Sequence, residues 1–165
     1  MNYHIRPADE TDIELIRSLA QDIWPKAYGD MISQEQLAYM LQWMYSADSL
    51  HSQLGQGHRF LILEDDEHKG CGYASYRPLE TGKWKLEKLY VQVDLHRRGL
   101  GRMLLQRVIE EIKHQGATHL YLQVNRQNPS VQFYSRLGFQ VARDEDIDIG
   151  NGFFMNDHIM EISIS

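Results

Sequence analysis

Residues 91–105, VQVDLHRRGLGRMLL, place two glycines at the point where a predicted strand gives way to a predicted helix. Gly99 and Gly101 stand where that helix begins, although glycine costs a helix about 1 kcal/mol relative to alanine. Successive backbone N–H groups at a glycine-containing turn that leads into a helix form a concave donor site for phosphate oxygens. Positive charge around the turn is supplied by Arg97, Arg98 and Arg102. The stretch predicts a pyrophosphate-binding loop, and a plain turn with solvated arginines is the alternative.

Two other glycine-rich phosphate motifs do not fit these residues. A dinucleotide-binding fingerprint needs a third glycine at the position of Leu104. A P-loop needs Gly-Lys followed by Ser or Thr, whereas Gly101 is followed here by Arg102 and Met103.

The periodicity on either side of the loop predicts a strand–helix–strand unit. Residues 83–93 alternate, which predicts a long strand with Trp84, Leu86, Lys88 and Tyr90 on one face, and Lys85, Glu87, Leu89, Val91 and Val93 on the other. The helix after the glycines repeats apolar residues every fourth position, at Leu100, Leu104, Val108 and Ile112. Residues 118–124 read as the next strand, and this crossover favours parallel pairing with the first.

The rest of the chain completes an α/β domain. A strand at residues 2–6 precedes one helix that Pro25 and Gly29 break and a second that Ser33 caps, with a short helical piece at 48–54. Two strands at 58–65 and 70–79 follow, and a terminal hairpin turns at Asn151-Gly152. The predicted order is β-α-α-β-β-β-α-β-α-β-β, with a mixed, mostly antiparallel sheet of about seven strands in one domain, 1–165.

Composition narrows the function classes. Among 165 residues, 42% are hydrophobic and 24% charged, with a net charge of -6, which fits a globular domain and argues against nucleic-acid binding. The single cysteine, Cys71, excludes a disulfide framework, and no two of the eight histidines lie three or four apart, so no metal is predicted. No signal-like or membrane-spanning apolar run is present, so we expect a cytoplasmic protein without membrane contact.

A second motif follows, at residues 124–139, VNRQNPSVQFYSRLGF. Asn128 is a favoured helix cap, and Pro129 suits a first helical turn. This second motif and residues 89–105, LYVQVDLHRRGLGRMLL, together resemble the motifs of the GNAT superfamily of N-acetyltransferases. The first motif resembles the acyl-CoA pyrophosphate loop, Gln/Arg-x-x-Gly-x-Gly/Ala, with His96 where Gln or Arg is usual; the second resembles the strand-then-helix element with Asn, Tyr and a closing Gly-Phe. The resemblance covers the whole chain.

The resemblance implies acetyl-CoA as co-substrate, with no metal. Its pantetheine arm should lie between the strand ending at Val93 and the strand at 119–124, against the main chain of Leu89, Tyr90, Val91 and Val93. The pyrophosphate should be held by backbone amides of Arg97, Arg98, Gly99, Leu100, Gly101 and Arg102, and Asn128 should contact the cofactor. Homodimers are common in the family, and the edge of the terminal hairpin offers a surface for a second copy.

Two residues are predicted to be catalytic. An alkylammonium ion titrates near pH 10 and must lose a proton before it attacks a thioester. Glu87, on the strand beside the thioester, is the predicted base, acting through water; pairing with Lys85 or Lys88 is its alternative role. Tyr134, which the resemblance puts near the sulfur, is the predicted acid for the leaving thiolate, and core packing is its alternative role. A main-chain N–H near Val91 is the predicted oxyanion donor.

The acceptor is predicted to be a primary amine, first of all a small one such as a polyamine. Trp24 and Tyr28 are candidates to wall an amine pocket through cation–π contacts. The acidic stretch at 143–157, with Asp148 as candidate substrate ligand among Glu145, Asp146 and Asp157, resembles bacterial polyamine and diamine acetyltransferases. The alternatives are a peptide or protein amino group as acceptor, and a non-catalytic acyl-CoA-sensing module.

Overall fold

A single seven-stranded sheet runs through the computed structural model, which describes residues 2–165. The strands are β1 (Tyr3–Pro7), β2 (Arg59–Asp65), β3 (Gly70–Pro78), β4 (Lys83–Val91), β5 (His119–Asn125), β6 (Gln140–Gly150) and β7 (Phe153–Ser163). Their order across the sheet is β1-β2-β3-β4-β5-β7-β6. Only β4 and β5 pair in parallel, and every other neighbouring pair is antiparallel. The predicted mixed, mostly antiparallel sheet is confirmed.

Helices cover both faces of the sheet. They are α1 (Ile13–Tyr28), α2 (Gln34–Tyr45), α3 (Ala47–Gly55), α4 (Leu100–Lys113) and α5 (Ser130–Arg136). The apolar residues of α1, α2 and α3 form one buried cluster with the sheet, and those of α4 and α5 contribute to the other. The segment between β1 and β2 therefore holds three helices: the two of the predicted order, and a third that corresponds to the short helical piece predicted at 48–54. The third, α3, begins at Ser46, whose Oγ accepts a hydrogen bond from Ser49 N at 3.1 Å.

The first helix continues through Pro25, which the sequence predicted would break it. Proline lacks the N–H that would bond to the carbonyl of Gln21, but both residues are exposed, so water can satisfy that carbonyl. The helix ends when Gly29 N donates to Pro25 O at 3.0 Å. This last turn carries Tyr28 to the sheet, where its hydroxyl lies 2.8 Å from that of Tyr90.

The sheet parts between its two parallel strands. Pairing of β4 with β5 runs only from Lys83 opposite His119 to Leu86 opposite Leu122. The remainder of β4, from Lys88 to Val91, is paired with β3 alone. The carboxyl-terminal halves of β4 and β5 therefore leave an opening in the middle of the sheet, which is where the sequence predicts the pantetheine arm.

A β-bulge interrupts the alternation of β4. Tyr76 of β3 pairs with Leu86 and Ser75 pairs with Lys88, so Glu87 is the extra residue. Consequently Leu86 packs in the α4-side cluster, while the Lys88 Nζ lies over the Tyr45 and Phe60 rings on the opposite face. The predicted grouping of Trp84 and Leu86 with Lys88 and Tyr90 on one face is wrong, and so is the grouping of Glu87 with Leu89 and Val91, because strict alternation ignores the inserted residue.

No helix within residues 2–165 combines the length and the hydropathy that crossing a bilayer requires.

Candidate active site

A cavity of about 870 Å³ lies where β4 and β5 part. The predicted site residues that line it are Trp24, Tyr28, Glu87, Leu89, Tyr90, Val91, Val93, Asn128 and Tyr134. Asp148 does not line it: this exposed residue lies at the β6–β7 turn, where its Oδ1 accepts a hydrogen bond from Gly150 N at 2.8 Å. The fold thus brings together the predicted residues from α1, β4 and the second motif, and leaves Asp148 outside.

The end of β4 directs free backbone groups into this cavity. Gln92 N donates to Cys71 O at 2.9 Å, toward β3. Because backbone groups of successive strand residues point in opposite directions, the N–H and C=O of Val91 and Leu89 point away from β3, toward the opening. The carbonyl of Val91 lies 2.9 Å from the Nε2 of His96, which ties the following loop to the strand. Tyr90, by contrast, faces β3 with its backbone and reaches the cavity through its side chain.

The glycine loop continues from this end of the cavity. Arg97 and Gly99 both have left-handed backbone conformations, with φ of 69° and 76°. Between Arg97 and Arg102, the backbone N–H groups donate to no backbone acceptor in the part of the chain that the structure describes. These free donors at the start of α4 form the kind of site that binds phosphate oxygens.

Gly101 is not required by the packing of the chain itself. A Cβ built at this position would lie 3.5 Å from the Phe133 ring, an ordinary contact. Its backbone is not left-handed either, in contrast to that of Gly99. Contacts and backbone conformation within the chain therefore do not explain the glycine at this position.

Glu87 lies in an ion-paired cluster. Its Oε1 accepts from Arg77 Nε at 2.8 Å and lies 3.3 Å from Lys85 Nζ. Burial alone would raise the pKa of Glu87, but Lys85, Arg77 and Lys88 outweigh it, and the pKa is lowered. Lys88 itself donates to Gln53 Oε1 at 2.6 Å, and burial lowers its pKa to about 8. The predicted pairing of Glu87 with Lys85 is therefore present alongside its position in the cavity.

Tyr134 is a buried aromatic residue, as its alternative packing role predicted, and it also lines the cavity. Its ring packs against those of Phe133 and Phe139, with centroids 5.2 and 5.5 Å away. Burial, with a smaller contribution from Tyr28, raises the pKa of Tyr134 well above its ordinary value of 10.0. The phenol therefore stays protonated at any working pH and can donate a hydrogen bond.

The aromatic wall of the cavity has two layers. Tyr28 lies at the surface of the cavity, bonded to the Tyr90 hydroxyl. Trp24 is 1% exposed and packs against Tyr28, with ring centroids 4.8 Å apart and ring planes inclined at 58°. Of the two predicted amine contacts, Tyr28 has the accessible ring, and Trp24 supports it.

Asn128 has the predicted capping role. Its Oδ1 accepts a hydrogen bond from Ser130 N at 2.9 Å, at the start of α5. It also lines the cavity, and it contributes to the pKa of Tyr28 through a side-chain hydrogen bond.

Asp157 was not singled out from the acidic stretch, yet it lines the cavity. It lies on β7, is 2% exposed, and its Oδ2 has no hydrogen-bond partner among the described residues. Burial raises its pKa to about 6. The sequence signal for this position is the alternation of side chains along the strand. Asp157 is in phase with Met155 and Ile159, which face inward, and out of phase with Phe154 and Asn156, which are exposed.

Two further features lie outside the cavity. Cys71 is buried, and desolvation raises the pKa of its thiol to about 11, so it is not a nucleophile at neutral pH. His4, which is remote in sequence, and the pair Glu64 and His68, four residues apart, place potential ligand atoms within 4.8 Å of one another. Spacing alone predicted no such grouping; the Glu64 carboxylate is also bonded to Arg6 Nε at 3.0 Å.

The parted strands, the free amides of the loop and the cavity between them are the arrangement that the resemblance implied for an N-acetyltransferase. The family model described as "Acetyltransferase (GNAT) domain" matches residues 29–156, and the chain belongs to this family. It is thereby an acyltransferase of the N-acetyltransferase class, as predicted.

Individual relatives differ in their acceptors. The chain is 26% identical over 159 residues to spermidine N(1)-acetyltransferase of Thermoplasma acidophilum, covering 94% of this chain and 96% of that enzyme. The crystal structure of the PaiA N-acetyltransferase of the same organism, in complex with coenzyme A, superposes with a TM-score of 0.82 at 26% identity and 99% coverage of both chains. The [ribosomal protein bS18]-alanine N-acetyltransferase of Salmonella typhimurium is 33% identical over 88 residues, which is 53% of this chain and 60% of that enzyme.

Proposed function

We propose that this protein transfers an acetyl group from acetyl-CoA directly to a primary amine. The observation that carries the proposal is the continuity between the free N–H groups of residues 97–102 and the backbone of β4 that faces the cavity. A pyrophosphate bound at the free N–H groups and a pantetheine arm along the backbone of β4 would bring a thioester to the opening in the middle of the sheet.

Each part of the cofactor has a complementary group in the chain. The pyrophosphate would accept hydrogen bonds from the loop amides, with charge from Arg97, Arg98 and Arg102. The amide groups of the pantetheine arm would pair with the backbone of Leu89 as an added strand would, and Val91, Val93 and Asn128 would contact the arm further along. The Val91 N–H, which points into the opening, is the proposed donor to the tetrahedral oxyanion.

Direct transfer is favoured over an acyl-enzyme intermediate. The only thiol of the chain, Cys71, is buried, does not line the cavity and has a raised pKa. The amine would instead attack the thioester in a ternary complex, and Tyr134 would donate a hydrogen bond to the departing thiolate. Glu87, as a base, would act only through water, since Arg77 and Lys85 occupy its carboxylate.

For the acceptor we propose a small amine, with a polyamine as the first to test. The match to a spermidine acetyltransferase over most of both chains supports this choice. The cavity itself fits one ammonium group. It has two carboxylates: Glu87 is already ion-paired, and Asp157 is not. Any further ammonium groups of a polyamine would extend toward the acidic β6–β7 hairpin outside the cavity.

The experiment that tests this function is thiol release from acetyl-CoA with a panel of amines: spermidine, putrescine, n-butylamine, amino acids, aminoglycosides and short peptides. Saturable release with one class is expected and identifies the acceptor. If acetyl-CoA raises the melting temperature but no amine gives release, the protein is an acyl-CoA-sensing module and the proposal fails.

Gly101→Ala is expected to raise stability and weaken cofactor binding at the same time. The added methyl group fits against Phe133 and improves helix propensity, which is worth up to about 1 kcal/mol. The same methyl group would project among the free amides, so the Kd for coenzyme A should rise about tenfold. Urea unfolding and calorimetric titration with coenzyme A measure the two effects.

Gly55→Ala in α3 is the control, since its added Cβ also meets no clash: nothing lies within 4 Å of it. It should gain stability without any change in the Kd. An unchanged Kd for Gly101→Ala would place the pyrophosphate elsewhere.

A further inference from the structure

We propose that Asp157 is the group that receives the ammonium ion of the acceptor and removes its proton. The inference deepens the proposed acetyl transfer and rests on it. It starts from a side chain that the fold leaves unsatisfied: the Asp157 carboxylate is buried, faces the cavity, and has an oxygen, Oδ2, without a hydrogen-bond partner in residues 2–165. A buried polar group in that state is costly unless a partner arrives from outside.

The charged and titratable groups around Asp157 come from every neighbouring element. They are Tyr28 on α1, Lys85 on β4, Arg126 after β5, Glu145 on β6 and His158 on β7. Each of the basic side chains among them is already bonded to another carboxylate. Arg126 and His158 pair with Asp144, and Lys85 pairs with Glu87. The remaining counter-charge for Asp157 is therefore a cation from outside the chain.

The cation that fits is the end of an alkylamine. Tyr28 presents an accessible ring beside the carboxylate, and aromatic rings attract ammonium groups over their faces. Asn128, whose side chain is hydrogen-bonded to Tyr28, provides a neutral polar neighbour. One carboxylate, one aromatic ring and a neutral amide select a single primary ammonium group.

The two carboxylates of the cavity differ as bases. Arg77, Lys85 and Lys88 stabilise the charged form of Glu87, which makes it a poor proton acceptor. Burial does the opposite to Asp157 and raises its pKa to about 6. A base whose pKa lies just below the working pH is still ionised when the ammonium ion binds and accepts a proton more readily than an ordinary carboxylate.

The proton balance of the step is complete. The ammonium ion gives one proton to the carboxylate of Asp157, and the neutral amine attacks the thioester carbonyl. The C–N bond forms, the C–S bond breaks, and the nitrogen loses its second proton, which ends on the departing thiolate. Asp157 then releases the first proton to solvent, so that the products are the acetamide, the free thiol of coenzyme A and one proton.

The test compares Asp157→Asn, Glu87→Gln and the wild type in thiol release with spermidine, putrescine and n-butylamine between pH 5.5 and 9.5. Asp157→Asn is expected to lower kcat/KM for the amine at least 100-fold, with the KM for acetyl-CoA changed less than twofold. Asp157→Asn should also abolish the fall of kcat/KM on the acid side of the pH profile, near pH 6. Glu87→Gln should retain this fall. Glu161→Gln, on the same face of β7 and outside the cavity, should behave as the wild type.

Calorimetric titration of the same three amines into the coenzyme A complex gives a readout independent of turnover. Amine binding that the wild type shows and Asp157→Asn loses supports the inference. If such binding occurs without acetyl transfer, the inference stands and only the proposed function fails. Three results overturn it: equal amine affinity in both proteins, absence of amine binding to the wild type, or an acid limb that Glu87→Gln removes and Asp157→Asn retains.

Discussion

Tyr134→Phe is expected to lower kcat for acetyl transfer about 100-fold and to leave the Kd for acetyl-CoA within a factor of two. The variant keeps the ring, which packs against Phe133 and Phe139, and removes only the hydroxyl that faces the cavity. Positioned donors to charge that develops in a transition state contribute factors of roughly 100 to 1,000. The loss should therefore appear in kcat, because the thiolate exists only after attack.

The raised pKa of Tyr134 determines how the hydroxyl works. It is a weaker acid than the thiol of coenzyme A, so it stabilises the thiolate mainly as a hydrogen-bond donor. No basic limb from Tyr134 is then expected below pH 10 in the wild type. Steady-state kinetics with the acceptor found in the amine panel measure both effects. Tyr121→Phe, on β5 and outside the cavity, is the control, and a loss of similar size there would refute the role of Tyr134.

The elements around the loop were predictable because their signals are local. The helix of Leu100, Leu104, Val108 and Ile112 repeats every fourth residue, and all four side chains are buried as predicted. The glycine loop and the Asn128-Pro129 helix start depend on backbone chemistry within a few residues. Such features survive in any tertiary context, so the order of the central elements followed from the sequence.

The features that escaped prediction depend on neighbours distant in the chain. Pro25 is accepted inside α1 because the carbonyl it leaves free faces water, which is a property of the tertiary surface. The bulge at Glu87 arises from the register between β3 and β4 and reverses which residues share a face. The grouping of His4, Glu64 and His68 likewise requires β1 beside β2. Spacing along one segment carries none of this information.

The site was predicted unevenly for the same reason. The residues predicted to face the cofactor lie within two continuous motifs, and of these Leu89, Val91 and Asn128 line the cavity. The proposed acceptor side is assembled from α1 and the β6–β7 hairpin, which are remote in sequence. Asp148 was predicted as a substrate ligand only because it lies in an acidic run. Which acidic residue faces inward depends instead on the alternation of side chains along β7, which places Asp157 on the buried face.

Asp157→Asn is expected to stabilise the folded protein at neutral pH while it removes activity. The pKa of Asp157 rises from an ordinary 3.8 to about 6 on folding. The contribution of this group to stability is therefore fully present below pH 3.8 and is lost as the pH rises through about 6, because the folded state then has to hold a buried, unpaired charge. That difference in pKa corresponds to roughly 3 kcal/mol as an upper bound.

The free energy of unfolding of Asp157→Asn, measured by urea denaturation, should exceed that of the wild type by about 1–3 kcal/mol at pH 7.5, and the two should converge toward pH 4. The difference between the proteins is the informative quantity, since the lowered pKa values of Asp12, Glu64 and Glu87 destabilise both equally in acid. Saturation with an amine that binds Asp157 should reduce the difference, because the bound cation stabilises only the wild-type carboxylate. A variant less stable than the wild type at pH 7.5 would show that the carboxylate is satisfied within the fold, and the site would then lack the free charge that an acceptor needs.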